Sequence, residues 1–108
     1  MRPLPLLAEV PSLTTEYVRV VIEGWEGGEP INPTGLAVQF AFMPGETEPD
    51  ENDWVAGDWD TSNATYIARG LFGPGSEAAL TDGDWTVWCR VVSTPEQPVR
   101  RLGILRIT

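Results

Sequence analysis

Leu36-Ala37-Val38-Gln39-Phe40-Ala41-Phe42-Met43 is the stretch on which the fold turns. Leu36, Val38, Phe40 and Phe42 fall on one side of an extended chain, and Ala37, Gln39, Ala41 and Met43 on the other. Successive side chains of a pleated strand point to opposite faces, so a period of two in aromatic and β-branched residues predicts a strand. Pro44-Gly45 ends it, because proline lacks the N–H that a ladder needs. The same pattern returns toward the C-terminus. Trp85, Val87, Cys89 and Val91 alternate with Thr86, Trp88, Arg90 and Val92, behind the turn Asp82-Gly83-Asp84.

Weaker copies of the pattern flank these two. Val18, Val20 and Ile22 alternate with Tyr17, Arg19 and Glu23, and Asn63 to Phe72 reads as a strand through Thr65, Tyr66, Ile67 and Leu71. Val99 to Thr108 is the last, where Gly103 puts Leu102 and Ile104 out of phase with Leu105 and Ile107 and predicts a bulge. The turns between them carry Gly27-Gly28, Pro30, Pro33, Gly73-Pro74-Gly75, Pro95 and Pro98. Nothing supports a helix beyond a single turn at Ser76 to Thr81. These elements predict an all-β fold, an immunoglobulin-like β-sandwich of six to seven short strands filling residues 13–108 as one domain. Residues 1–12, broken by Pro3, Pro5 and Pro11, predict an extended N-terminal arm.

Charge narrows the function. Sixteen Asp and Glu stand against seven Arg, with no Lys and no His, for a formal charge of −9. Nucleic acid and anionic membrane surfaces both demand a basic footprint, so neither is expected as a partner. Without His or Lys the chain lacks the usual acid–base catalyst, the usual nitrogen metal ligand and any Schiff-base chemistry. Cys89 is the one cysteine, which predicts a small buried hydrophobe and no disulfide. The early prolines and Glu9 argue against a signal peptide, and no run approaches the length that spans a bilayer, so synthesis in a reducing cytoplasm is expected. The chain is expected to be no enzyme and to carry no cofactor.

Two groups of residues remain as candidates. Residues 44–62 hold Glu46, Glu48, Asp50, Glu51, Asp53, Asp58 and Asp60 without one basic residue. Asp50, Asp53, Asp58 and Asp60 are weak calcium candidates, since calcium takes six to eight oxygen ligands, but their spacing does not fit an EF-hand loop. A solvated acidic loop is the plainer reading, and a carboxylate pair for glycoside hydrolysis has still less behind it. The second group is apolar and aromatic: Leu4, Leu6, Leu7 and Val10 of the arm, with Trp25, Trp54 and Trp59 in or near loops. Exposed, these would anchor a protein partner, and the tryptophans would alternatively stack on sugar rings. Packed inward, Trp54 and Trp59 would instead cover one sheet. Trp85 is expected in the core.

Leu80-x-x-Gly83-Asp84-Trp85-x-Val87 resembles the corner entering strand F of immunoglobulin-like domains, with Trp85 where a tyrosine would stand and Val87 where a cysteine would. An indole is not expected to repeat the phenol's hydrogen bond. A broader likeness runs over residues 17–108. It rests on Gly35-Leu36-x-Val38-x-Phe40-Ala41-Phe42-Met43-Pro44, Trp54-x-x-x-x-Trp59, Gly73-Pro74-Gly75, Val87-Trp88-x-Arg90-Val91, Pro95-Glu96-x-Pro98-Val99-Arg100 and Gly103-x-Leu105. These resemble small immunoglobulin-like virion structural proteins of tailed bacteriophages, especially those of actinobacteria. The resemblance implies a non-enzymatic virion component made in the host cytoplasm: a capsid decoration protein on the assembled lattice, or a small neck (head–tail) or tail part. Its partners would be capsid, neck or tail subunits, and it would be oligomeric in the particle. The alternative is a carbohydrate or cell-surface binding module that uses the loop tryptophans, with or without calcium.

Overall fold

The computed structural model describes residues 4–22, 24–26, 29–31, 33–61, 66–93 and 97–108, the segments 24–26 and 29–31 by their backbone. Ten strands lie among them: β1 Leu6–Val10, β2 Glu16–Val21, β3 Gly24–Glu26, β4 Glu29–Ile31, β5 Ala37–Pro44, β6 Val55–Ala56, β7 Asp58–Asp60, β8 Ile67–Phe72, β9 Gly83–Val92 and β10 Val99–Ile107. The chain is all-β. A five-stranded sheet has the order β1-β10-β9-β5-β6, a three-stranded sheet the order β2-β8-β7, and β3-β4 form a separate two-stranded ribbon.

The two larger sheets face each other because each strand has one apolar side. Val38, Phe40 and Phe42 of β5, Val87, Cys89 and Val91 of β9, and Leu105 and Ile107 of β10 meet Val18 of β2 and Ala68 and Phe72 of β8 in one core. Phe40 is fully buried at its centre. A Cβ on Gly70 would stand 2.5 Å from the Phe40 ring, and one on Gly57 would stand 2.9 Å from it, so these two glycines form the cradle for that ring. Gly57 also marks where the chain leaves one sheet for the other: β6 before it pairs with β5, and β7 after it pairs with β8.

The arm expected at 1–12 is, in its described part, a strand of the domain. β1 pairs in parallel with β10, Ile104 N–H donates to Pro5 O at 2.8 Å, and Thr108 N–H donates to Val10 O at 2.9 Å. Ala8 and Val10 pack on the core. The expected bulge sits between Arg101 and Gly103, and it lets β1 approach: a Cβ on Gly103 would stand 2.5 Å from Pro5 O. The turn expected at 82–84 is shorter, since Gly83 already begins β9. No helix forms at 76–81; there the Ser76 hydroxyl bridges Gly73 O and the Ala78 N–H at 2.7 and 3.1 Å. The described helical turns are short 3-10 turns at Pro33–Gly35 and Glu51–Asp53.

Trp85 packs at the margin of the core, and its indole corrects the expectation drawn from its type. Nε1 donates to Thr81 O, four residues upstream, at 2.8 Å. The indole N–H thus closes the corner before β9, and Val87, two residues on, is fully buried.

Candidate interaction surfaces

Arg90 organises one face of the molecule. β9 holds it on the side of the large sheet away from the core, opposite Gln39 of β5. Its Nε donates to Gln39 Oε1 at 2.6 Å, and its terminal nitrogens donate to the Glu51 carboxylate at 3.1 and 3.2 Å. The guanidinium carbon lies 4.4 Å from the centre of the Trp54 ring. Beside it, Thr86 Oγ1 donates to Gly45 O at 2.6 Å. These contacts fold residues 45–54 back across β5 and β9, which is why Ala41, Met43 and Thr86 are buried on the face that simple alternation leaves in water. Burying a guanidinium demands partners for its donors, and Gln39 and Glu51 provide them.

The acidic loop is therefore a lid on this chain's own sheet. Arg90 holds the Glu51 carboxyl below the ordinary glutamate range, through its hydrogen bonds first and its charge second. A carboxyl depressed in the folded state stabilises above its unfolded pKa, and that contribution is lost as pH falls through the lower folded value. Acidification below the ordinary glutamate range should therefore loosen the lid. Tryptophan emission should report it, and Glu51→Gln should remove this part of the acid transition. Arg90→Met keeps the stem but strips the donors, leaving Gln39 Oε1 without its partner, while the Glu51 carboxylate, 82% exposed, turns to water. We expect it to cost about 1–3 kcal/mol in denaturant unfolding.

The four calcium candidates do not come together. The Asp53 carboxylate accepts the Asp50 N–H at 2.8 Å within the short turn at Glu51–Asp53. Asp58 lies in the other sheet, where both its oxygens accept from Arg69 at 2.8 and 3.0 Å, and Asp60 stands opposite Ile67. Among the described residues no three His, Cys, Asp or Glu side chains converge as a metal site. Burial pushes the Cys89 thiol up to about 12, so at neutral pH it is an inert filler of the core.

The aromatic candidates are largely spent on the fold. Trp59 packs on the core and its Nε1 donates to Leu36 O at 2.9 Å. Trp54 is half-buried against Arg90, and the Trp25 side chain lies outside the described residues. In the N-terminal segment Leu4 is half-buried and Val10 packs on the core, whereas Leu6 and Leu7 remain 51% and 40% exposed at the sheet edge. Trp88, whose indole N–H is buried without a hydrogen-bond partner among the described residues, lies under Arg101 at 5.8 Å.

Sequence reasoning missed the Arg90–Gln39–Glu51–Trp54 assembly. A signal for it was present: Ala37, Ala41 and Met43 are small or apolar on a strand face that would be polar if solvated. No family model, no curated protein and no solved structure matches this chain.

Proposed function

We propose that this chain is an immunoglobulin-like β-sandwich and a non-enzymatic structural component of a tailed-phage virion, foremost a capsid decoration protein, or else a small neck or tail part. The observation that carries the fold half is strand order. β10-β9-β5 run in the order G-F-C and β2-β8-β7 in the order B-E-D of immunoglobulin-like domains, with the Trp85 corner opening the strand in position F. That is the architecture the sequence resemblance implies, and the functional half rests on the resemblance.

The surface suits attachment to a larger assembly. Leu6 and Leu7 on the edge strand, with Leu13 beyond it, are large apolar side chains left in water, and burying them against a lattice would supply affinity. The charge of −9 keeps free copies soluble, as monomers or small oligomers, until that lattice is present. The glycan-binding alternative loses support, because Trp54 and Trp59 are engaged within the fold.

Quantitative mass spectrometry of particles produced by the genome that encodes this chain is the test. A copy number comparable to the major capsid protein is the expected result and assigns decoration. A count on the scale of one ring would move the protein to the neck or tail. Absence from washed particles would overturn the virion reading.

A further inference from the structure

Four strands edge the two larger sheets, and three are blunted in recognised ways. β1 lies between Pro5 and Pro11 and its register shifts between Leu6 and Ala8. β6 is two residues long, and β7 is three residues with Asp58 and Asp60 at its ends. β2 carries charges at Glu16 and Arg19 but has no other of these protections. It runs for six residues, Glu16-Tyr17-Val18-Arg19-Val20-Val21, in unbroken register with β8, and it holds no proline, glycine or bulge. Among the described residues no strand covers its other side.

The backbone shows which groups that edge presents. Ile22 N–H donates to Tyr66 O at 2.8 Å, so Ile22 points its N–H at β8. In an antiparallel ladder this alternates. Val20, Val18 and Glu16 therefore bond β8, while Tyr17, Arg19 and Val21 turn their N–H and C=O outward.

We propose that this edge pairs with β2 of a second copy, antiparallel across a two-fold axis, joining the two three-stranded sheets into one of six strands. Face matching and residue chemistry fix the register. Cross-strand partners must share a face, so the two residue numbers in each pair must have the same parity. Of the registers that do this, two overlap the strands most fully. One sets Arg19 against the partner's Arg19, which is repulsive. The other sets Tyr17 against the partner's Arg19, Arg19 against the partner's Tyr17, and Val18 against the partner's Val18. The second repeats between copies a contact the chain already makes within itself, since Arg19 and Arg69 lie 5.5 and 4.3 Å from the centre of the Tyr17 ring. It also lets the outward N–H of Tyr17 and of Arg19 each donate to the outward C=O of its opposite residue in the partner, and brings Val21, 56% exposed, against the partner's Thr15. A two-fold contact closes after two copies.

The test is sedimentation velocity of the isolated protein with amide hydrogen exchange over the same concentrations. A dimer at about 100 µM is expected, with exchange at Tyr17, Arg19 and Val21 slowing as concentration rises. Arg19→Pro deletes an outward N–H and leaves the bonds to β8 in place, so the variant should fold and be monomeric. Arg19→Glu should weaken the dimer by about tenfold or more through loss of the ring contact. Near-UV circular dichroism of both variants checks that they are folded. A wild-type monomer at that concentration would overturn the proposal. So would a dimer whose three amides exchange at an unchanged rate, or one that a folded Arg19→Pro leaves intact. None of these outcomes bears on whether the chain belongs to a virion.

Discussion

Phe40→Ala lowers the unfolding free energy by about 3–5 kcal/mol, the range for a buried phenylalanine whose cavity cannot collapse. Phe40 is fully buried between the sheets, with Gly57 and Gly70 against its ring. Gly70 lies within β8, and Gly57, between β6 and β7, is tied to β5 by its N–H donating to Val38 O at 2.8 Å, so the walls have little freedom to close on the void. The converse substitution tests the same contact. Gly70→Ala places a methyl group 2.5 Å from Phe40 Cγ and should cost about 1–3 kcal/mol by overpacking. Combined with Phe40→Ala, that methyl group enters the cavity, so the double variant should be less destabilised than the sum of the singles. Chemical denaturation of the four proteins decides it. Strict additivity would mean that the ring and the glycine do not constrain each other.

Deletion of residues 1–10 should be almost as damaging, and this reverses what a free arm would predict. Removing β1 strips Ala8 and Val10 from the core, abolishes the ladder to β10 and leaves that long strand as a bare edge. The lost apolar burial and backbone bonds put the cost at roughly 2–4 kcal/mol, a large part of the stability of a domain this size. The exposed β10 edge should also promote aggregation. Thermal unfolding and light scattering of the truncated chain measure both effects. An unchanged midpoint and a clear solution would show that β1 is dispensable. A truncation used to probe particle binding therefore confounds attachment with folding, and substitutions confined to Leu6 and Leu7 separate the two.

The proline spacing that predicted an arm identified its extended conformation and missed its partner. Pro5 and Pro11 frame β1, and a five-residue strand between prolines has too little alternation of its own to declare a sheet. The tryptophans were left open between binding and packing for a different reason. A loop indole offers the same apolar body and single donor to a ligand or to its own chain, and only the positions of Leu36 O and Arg90 show that Trp59 and Trp54 turn inward. Trp85 was legible by place, two residues before the buried Val87, and misread by chemistry, because the corner asks only for a donor within reach of Thr81 O.

By itself the sequence determined the long strands β5, β9 and β10 and the faces they bury, the bulge before Gly103 and the all-β class. Each follows from steric and hydrophobic preferences acting over a few neighbouring residues, and such preferences are written locally. Only the tertiary structure decided that β1 closes the large sheet, that Gly57 passes the chain between sheets, and that Glu51 and Trp54 cover Arg90. Those contacts join residues far apart in the chain, Gln39 and Arg90 being 51 positions apart. Their energies depend on which surfaces the folded sheets bring together, and no local pattern encodes that meeting.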